Sequence, residues 1–158
     1  MTGLASRAML LRYLIATIAT GLLFAAGHSA IAGSAAQAAS EWGLLGTWAL
    51  DCSLPPDRDR GARLSYRIAE DGRLILARDF GNASDTNEIS DAQIEADGSL
   101  RLTVEFPAIH QTRIYRLAKD GDGNIRAISN RDSKGRYSIR NGRFSATGQP
   151  TPKQARCG

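Results

Sequence analysis

The sequence predicts an all-β fold: an antiparallel up-and-down β-barrel of eight or nine strands behind an N-terminal signal peptide. Three observations predict it. An Asp-Gly or Asn-Gly dipeptide recurs at Asp71-Gly72, Asp97-Gly98, Asp122-Gly123 and Asn141-Gly142, about every 20 to 26 residues, the strongest local signal for a tight hairpin. The segments between these turns alternate apolar and polar residues with the period of a strand. No amphipathic helix of useful length follows the first apolar run. Between successive tight turns lies one longer polar connection, which predicts tight turns at one end of the sheet and long loops at the other. A single meander leaves two unpaired edges, and closure into a barrel would remove them.

The elements follow in order. Arg7 and Arg12 precede an uncharged run, Leu14 to Ala26, too short to span a bilayer comfortably. Residues 1–38 are therefore read as a signal peptide and 39–158 as one domain, with no transmembrane segment in the mature chain; a retained signal anchor is the alternative. Cleavage after Ala38 or after Ala32 satisfies the small-x-small rule, and Ala38 is favoured because Trp42 then opens the folded part. A periplasmic or secreted location follows. Cys52 and Cys157 are the only cysteines, and an oxidising compartment predicts that they pair. Closing a loop of about 100 residues is worth about 4 to 5 kcal/mol in the chain-entropy model.

The first strand is expected over Gly46 to Cys52, with Trp48, Leu50 and Cys52 on one face. A Pro55-Pro56 loop follows. Next come strands over Ala62 to Ala69, with Leu64, Tyr66 and Ile68 inward, and Arg73 to Asp79. A long loop spans Phe80 to Asn87. The strand over Glu88 to Ala96 changes phase between Ile89 and Ala92, which predicts a bulge near Asp91. Leu100, Leu102, Val104 and Phe106 mark the clearest strand, ended by Pro107. Further strands are expected over Thr112 to Ala118, Asn124 to Asn130 and Tyr137 to Arg140, with a ninth short segment at Arg143 to Thr147 and a tail to Cys157.

The chain resembles the lipocalin-like (calycin) β-barrel superfamily. Gly46-Thr47-Trp48 matches the Gly-x-Trp that opens the first strand there, Glu41 to Leu45 could form the preceding turn of helix, and the turn alternation matches an open and a closed barrel end. The resemblance implies a basic residue from the last strand stacked on Trp48, either Arg140 or Arg143. Similar barrels also serve as secreted protease inhibitors.

Signals for catalysis are nearly absent. His110 is the only histidine beyond the signal segment and stands in an expected loop, with no Gly-x-Ser-x-Gly and no histidine spacing beside it. Asp120-x-Asp122-x-Asn124 opens like a calcium loop, but Ile125 replaces the required glycine and Arg131 the closing glutamate. No catalytic residue, metal site or cofactor is therefore expected. An inward set including Trp48, Tyr66, Tyr115 and Tyr137 could instead line an apolar cup with polar handles. The expected function is non-catalytic binding of a small apolar or amphipathic molecule at the long-loop end; the alternative is a protein-interaction module. Charge is segregated: residues 41–112 carry 7 basic and 13 acidic side chains, residues 113–158 carry 11 and 3. Arg131, Lys134, Arg136, Arg140 and Arg143 would form a basic flank for an anionic envelope component or a protein partner. Without interleaved aromatics, nucleic acid is not expected.

Overall fold

The computed structural model describes residues 34–59 and 61–158. The expected signal peptide therefore lies outside the described residues up to residue 33. Among the described residues, no helix is long and apolar enough to cross a membrane.

The first element, α1 (Ala35–Trp42), is short and capped at both ends. The Ser34 hydroxyl accepts from the Gln37 amide at 3.2 Å, satisfying one of the orphan donors of the first turn. Gly43 takes the left-handed conformation (φ +78°), and the amides of Gly43 and Leu44 return to Ser40 and Ala39, a Schellman ending. Leu44 is thereby driven into the core, fully buried. Trp42 anchors the helix to the sheet: its indole Nε1 donates to the Gly98 carbonyl at 2.8 Å, and Lys119 Nζ donates to the Trp42 carbonyl at 2.6 Å while sitting 4.5 Å from the ring centroid. The expected turn of helix at Glu41 to Leu45 is thus an eight-residue helix that begins earlier, inside the stretch assigned to the signal peptide.

One antiparallel sheet follows: β1 (Gly46–Ala49), β2 (Arg63–Ile68), β3 (Leu74–Asp79), β4 (Ser84–Ile94), β5 (Leu100–Phe106), β6 (Gln111–Lys119), β7 (Ile125–Asp132), β8 (Tyr137–Arg140), β9 (Arg143–Phe144) and β10 (Ala155–Cys157). Its strand order is β10-β1-β2-β3-β4-β5-β6-β7-β8-β9, a meander with the last strand returned beside the first. Two expectations are corrected here. The strands number ten, because the tail contributes β10. The sheet is also not closed into a barrel: β8 and β9 have four and two residues, too short to zip against β10. The tail leading into β10 crosses that seam through an isolated bridge in which Ile125 and Gln154 exchange backbone hydrogen bonds of 2.9 and 2.8 Å, through the Thr151 hydroxyl donating to the Ala127 carbonyl at 2.7 Å, and through Lys153 on Asp120.

The tight turns are of two kinds. At Gly72, Gly98 and Gly123 the glycine alone has positive φ, and a type I turn runs into a bulge; Asp71 and Asp97 each accept the amide two residues on, whereas at Gly123 it is Asp120, opening the turn, that accepts from the Asp122 and Asn124 amides. Ser133-Lys134-Gly135 repeats this geometry, closed by Asp132 N–H to Arg136 O at 3.0 Å, so the connection between the strands expected to end at Asn130 and to begin at Tyr137 is another tight turn. Asn141 and Gly142 both have positive φ, the pattern of a two-residue type I′ turn. The Phe80 to Asn87 loop shortens to residues 80–83, because β4 already begins at Ser84. Elsewhere the sequence pattern carries through: β5 alternates strictly, with Leu100, Leu102, Val104 and Phe106 buried, and β4 slips register between Ile89 and Asp91, where the bulge was expected.

The concave face and α1 enclose the core, centred on Leu44, Trp48, Leu74, Ile89, Leu100 and Leu102. Cys52 and Cys157 are joined, with Cα atoms 5.4 Å apart, tying the end of β10 to the chain just beyond β1. A structural disulfide belongs to chains that fold outside the reducing cytoplasm.

Candidate functional site

The concave face of the sheet carries a cavity of about 220 Å³. Alternation along each strand supplies its walls: Leu64 and Tyr66 from β2, Leu76 and Arg78 from β3, Leu102 and Val104 from β5, Tyr115 and Leu117 from β6, Ala127 from β7 and Ile139 from β8. Phe80, Phe144 and the tail residues Thr151, Pro152 and Gln154 complete it. The lining is mainly apolar, with a few polar residues from β2, β3, β6 and the tail, the usual composition of a small-molecule site.

Arg78 is the charged residue of that lining. It stands in phase with the inward Leu74 and Leu76, so its stem lies among apolar neighbours while its head reaches Asp85, its register partner on β4. Nε meets Asp85 Oδ1 at 2.8 Å, Nη2 meets Oδ2, and Asn87 Nδ2 donates to Oδ1 at 2.7 Å. The guanidinium also sits 4.7 Å from the Phe106 ring centroid and 5.3 Å from that of Phe80. Hydrogen bonding to Arg78 lowers the Asp85 carboxyl below its ordinary value, and the same bond raises the guanidinium. The pair is ionised at any physiological pH.

Tyr66 and Tyr115 line the cavity, and burial raises both phenols above their ordinary value. They remain neutral hydroxyls, able to donate and accept hydrogen bonds but unable to supply a phenolate. Among the described residues, the cavity lining holds no Ser-His or Cys-His pair and no carboxylate cluster. The arrangement can orient a bound molecule through hydroxyls and a fixed cation.

The other two expected ligand contacts lie elsewhere. Trp48 is 2% exposed and belongs to the core; its Nε1 donates to the Leu44 carbonyl at 2.8 Å, and it does not line the cavity. Tyr137 is 38% exposed, with the Arg140 guanidinium 4.2 Å from its ring centroid. A register shift in the β7–β8 ladder pairs Asn130 with Ile139 but Arg131 with Tyr137, turning Tyr137 to the outer face. Leu50, also expected inward, is 41% exposed, because β1 ends at Ala49 and the side chain packs over Gly61.

The cation on Trp48 is neither Arg140 nor Arg143. It is Arg156 of β10, 5.9 Å from the ring centroid, with Nη2 donating to the Leu45 carbonyl at 2.7 Å. Arg143 bonds the Gly148 carbonyl instead. His110 closes the turn Pro107–Ile109 in the left-handed conformation and is exposed. Sequence reading missed Arg78 and the tail residues. Arg78 was legible as a charge in the apolar phase of β3, whereas residues 151–154 have no periodicity to betray that they cover a cavity.

No protein-family model, no curated protein and no solved structure matches the chain.

Proposed function

We propose that this domain is an exported, non-catalytic binding protein that holds a small apolar or amphipathic molecule on the concave face of its sheet. The observation that carries the reading is the cavity of about 220 Å³, apolar in most of its lining, with Tyr66, Tyr115, Arg78, Thr151 and Gln154 as its polar residues. A filled core would leave no such space; native interiors close voids of this size because each unfilled volume costs stability. The disulfide and the basic, apolar N-terminal run support a periplasmic or secreted setting. A calycin-like relationship is part of the reading, supported by Gly46-Thr47-Trp48 opening β1, by an arginine of the last strand on that tryptophan, and by a helix packed against one part of the meander.

Native mass spectrometry of the oxidised protein, purified from its own envelope fraction, tests this. The expected result is an added mass that is lost on denaturation. The Ala127→Phe variant, which places a ring in the cavity, should lose that mass while remaining folded. A bare native mass, together with no saturable binding of an anilinonaphthalene dye displaced by fatty acid, would overturn it.

A further inference from the structure

We propose that the β8–β9 hairpin is a docking surface for an anionic phospholipid membrane. Arg140 and Arg143 are direct cross-strand partners in this two-residue hairpin. Like charges placed opposite one another repel and destabilise a sheet. Arg126, from the neighbouring strand, brings its guanidinium onto the same turn, where it fills the space that a Cβ on Gly142 would need.

The same fold contains a contrasting case. Arg101 and Arg116 are also direct partners, across β5 and β6, and there carboxylates surround them: Asp91 and Glu95 at 2.8 Å from Arg101, and Asp97 on Arg116. At the hairpin, Arg140 stacks on Tyr137 and Arg143 bonds a carbonyl, but among the described residues none of Arg126, Arg140 and Arg143 has a carboxylate partner. Charge on an edge strand guards against edge pairing. Three uncompensated arginines converging on one turn exceed that need.

A membrane, and not a soluble polyanion, is chosen because of an aromatic ring on the arginine face. Tyr137 is 38% exposed, with the Arg140 guanidinium 4.2 Å from its ring centroid. An amphipathic ring beside a cation is the combination that settles at the headgroup level of a bilayer. Phe144 faces the other way from Arg143 and lines the cavity, so docking here would bring the cavity wall to the lipid surface. The inference stands whether or not the cavity is occupied.

The test measures co-sedimentation of the oxidised, delipidated protein with phosphatidylglycerol–phosphatidylethanolamine vesicles, against vesicles of phosphatidylcholine. The parent should bind the anionic vesicles and release them as salt rises. The variant Arg126→Gln/Arg140→Gln/Arg143→Gln should bind on the order of a hundredfold more weakly, since each arginine near an anionic surface contributes roughly fivefold. Its thermal midpoint should not fall, because the substitution also removes a like-charge contact. Arg101→Gln/Arg116→Gln should leave vesicle binding unchanged. A parent that ignores anionic vesicles at low salt, a triple variant that binds like the parent, or a preference for dextran sulfate over vesicles would each overturn the proposal.

Discussion

Gly46 has a φ of +131°, and a Cβ there would stand 3.1 Å from Arg156 Nε. Both facts make a side chain strained here, so the glycine lets the arginine of the last strand lie across the start of the first. Trp48, two residues on, fills the core beneath. The three-residue motif is therefore a packing device, and its partner stands more than a hundred positions away. Asp97 shows another short-range economy: the Ser99 hydroxyl and amide donate to its Oδ1 at 2.6 and 3.1 Å, and Arg116 adds an ion pair. Together they hold the carboxyl at about 2. The unfolded chain takes up that proton near pH 4, so this carboxylate stabilises the fold above about pH 4 and the benefit is lost as pH falls through about 2. Asp97→Asn should flatten the decline of the thermal midpoint between pH 4 and pH 2, as followed by tryptophan fluorescence.

At the scale of elements, α1 decides where the folded chain must begin. Ala39 is fully buried, Trp42 nearly so, and the N-cap is Ser34. Cleavage after Ala38 would leave only Ala39 to Trp42 of the helix and remove its cap, which alone is worth about 1 kcal/mol. Cleavage after Ala32 keeps both. With the signal peptide cleaved as proposed, sequencing the mature chain should find Gly33 as its first residue; a start at Ala39 would show that α1 is dispensable. The turns make a related point. Asp-Gly and Asn-Gly were legible as hairpins, but the same dipeptide signal covers two geometries, and Ser133-Lys134-Gly135 reproduces one of them without the dipeptide. Backbone φ values, and not the residue names, separate these cases.

Across the whole molecule, the seam between β9 and β10 is the weak line. It is crossed by the Ile125–Gln154 bridge, the Thr151 hydroxyl on the Ala127 carbonyl and the Lys153–Asp120 ion pair, while the β1–β10 ladder and the disulfide, which closes a loop with a sequence separation of 105, hold β10 on its other side. The tail it secures, Thr151 to Gln154, also covers the cavity. Cys52→Ser/Cys157→Ser should cost about 4 to 5 kcal/mol in urea unfolding. It should also raise exchange of any cavity-bound dye, because β10 is left with three residues of ladder. Unchanged stability would mean that the tail holds without the bond.

The sequence by itself determined the all-β class, the antiparallel meander, the bulge in β4, the strict alternation of β5 and the pairing of the two cysteines. Each rests on local periodicity, turn chemistry or counting, which need no knowledge of distant neighbours. It placed Tyr66 and Tyr115 on the inner face for the same reason. The tertiary structure alone decided that the sheet stays open, that the tail returns as a tenth strand, and that Arg156 covers Trp48. It also moved Leu50 and Tyr137 outward, since a strand end and a one-residue register slip reverse a face without altering the alternation read from the chain. The return of the tail and the seat of Arg156 depend on segments that meet across more than a hundred residues, and the outward turns on where a ladder ends or slips; short-range alternation carries no record of either.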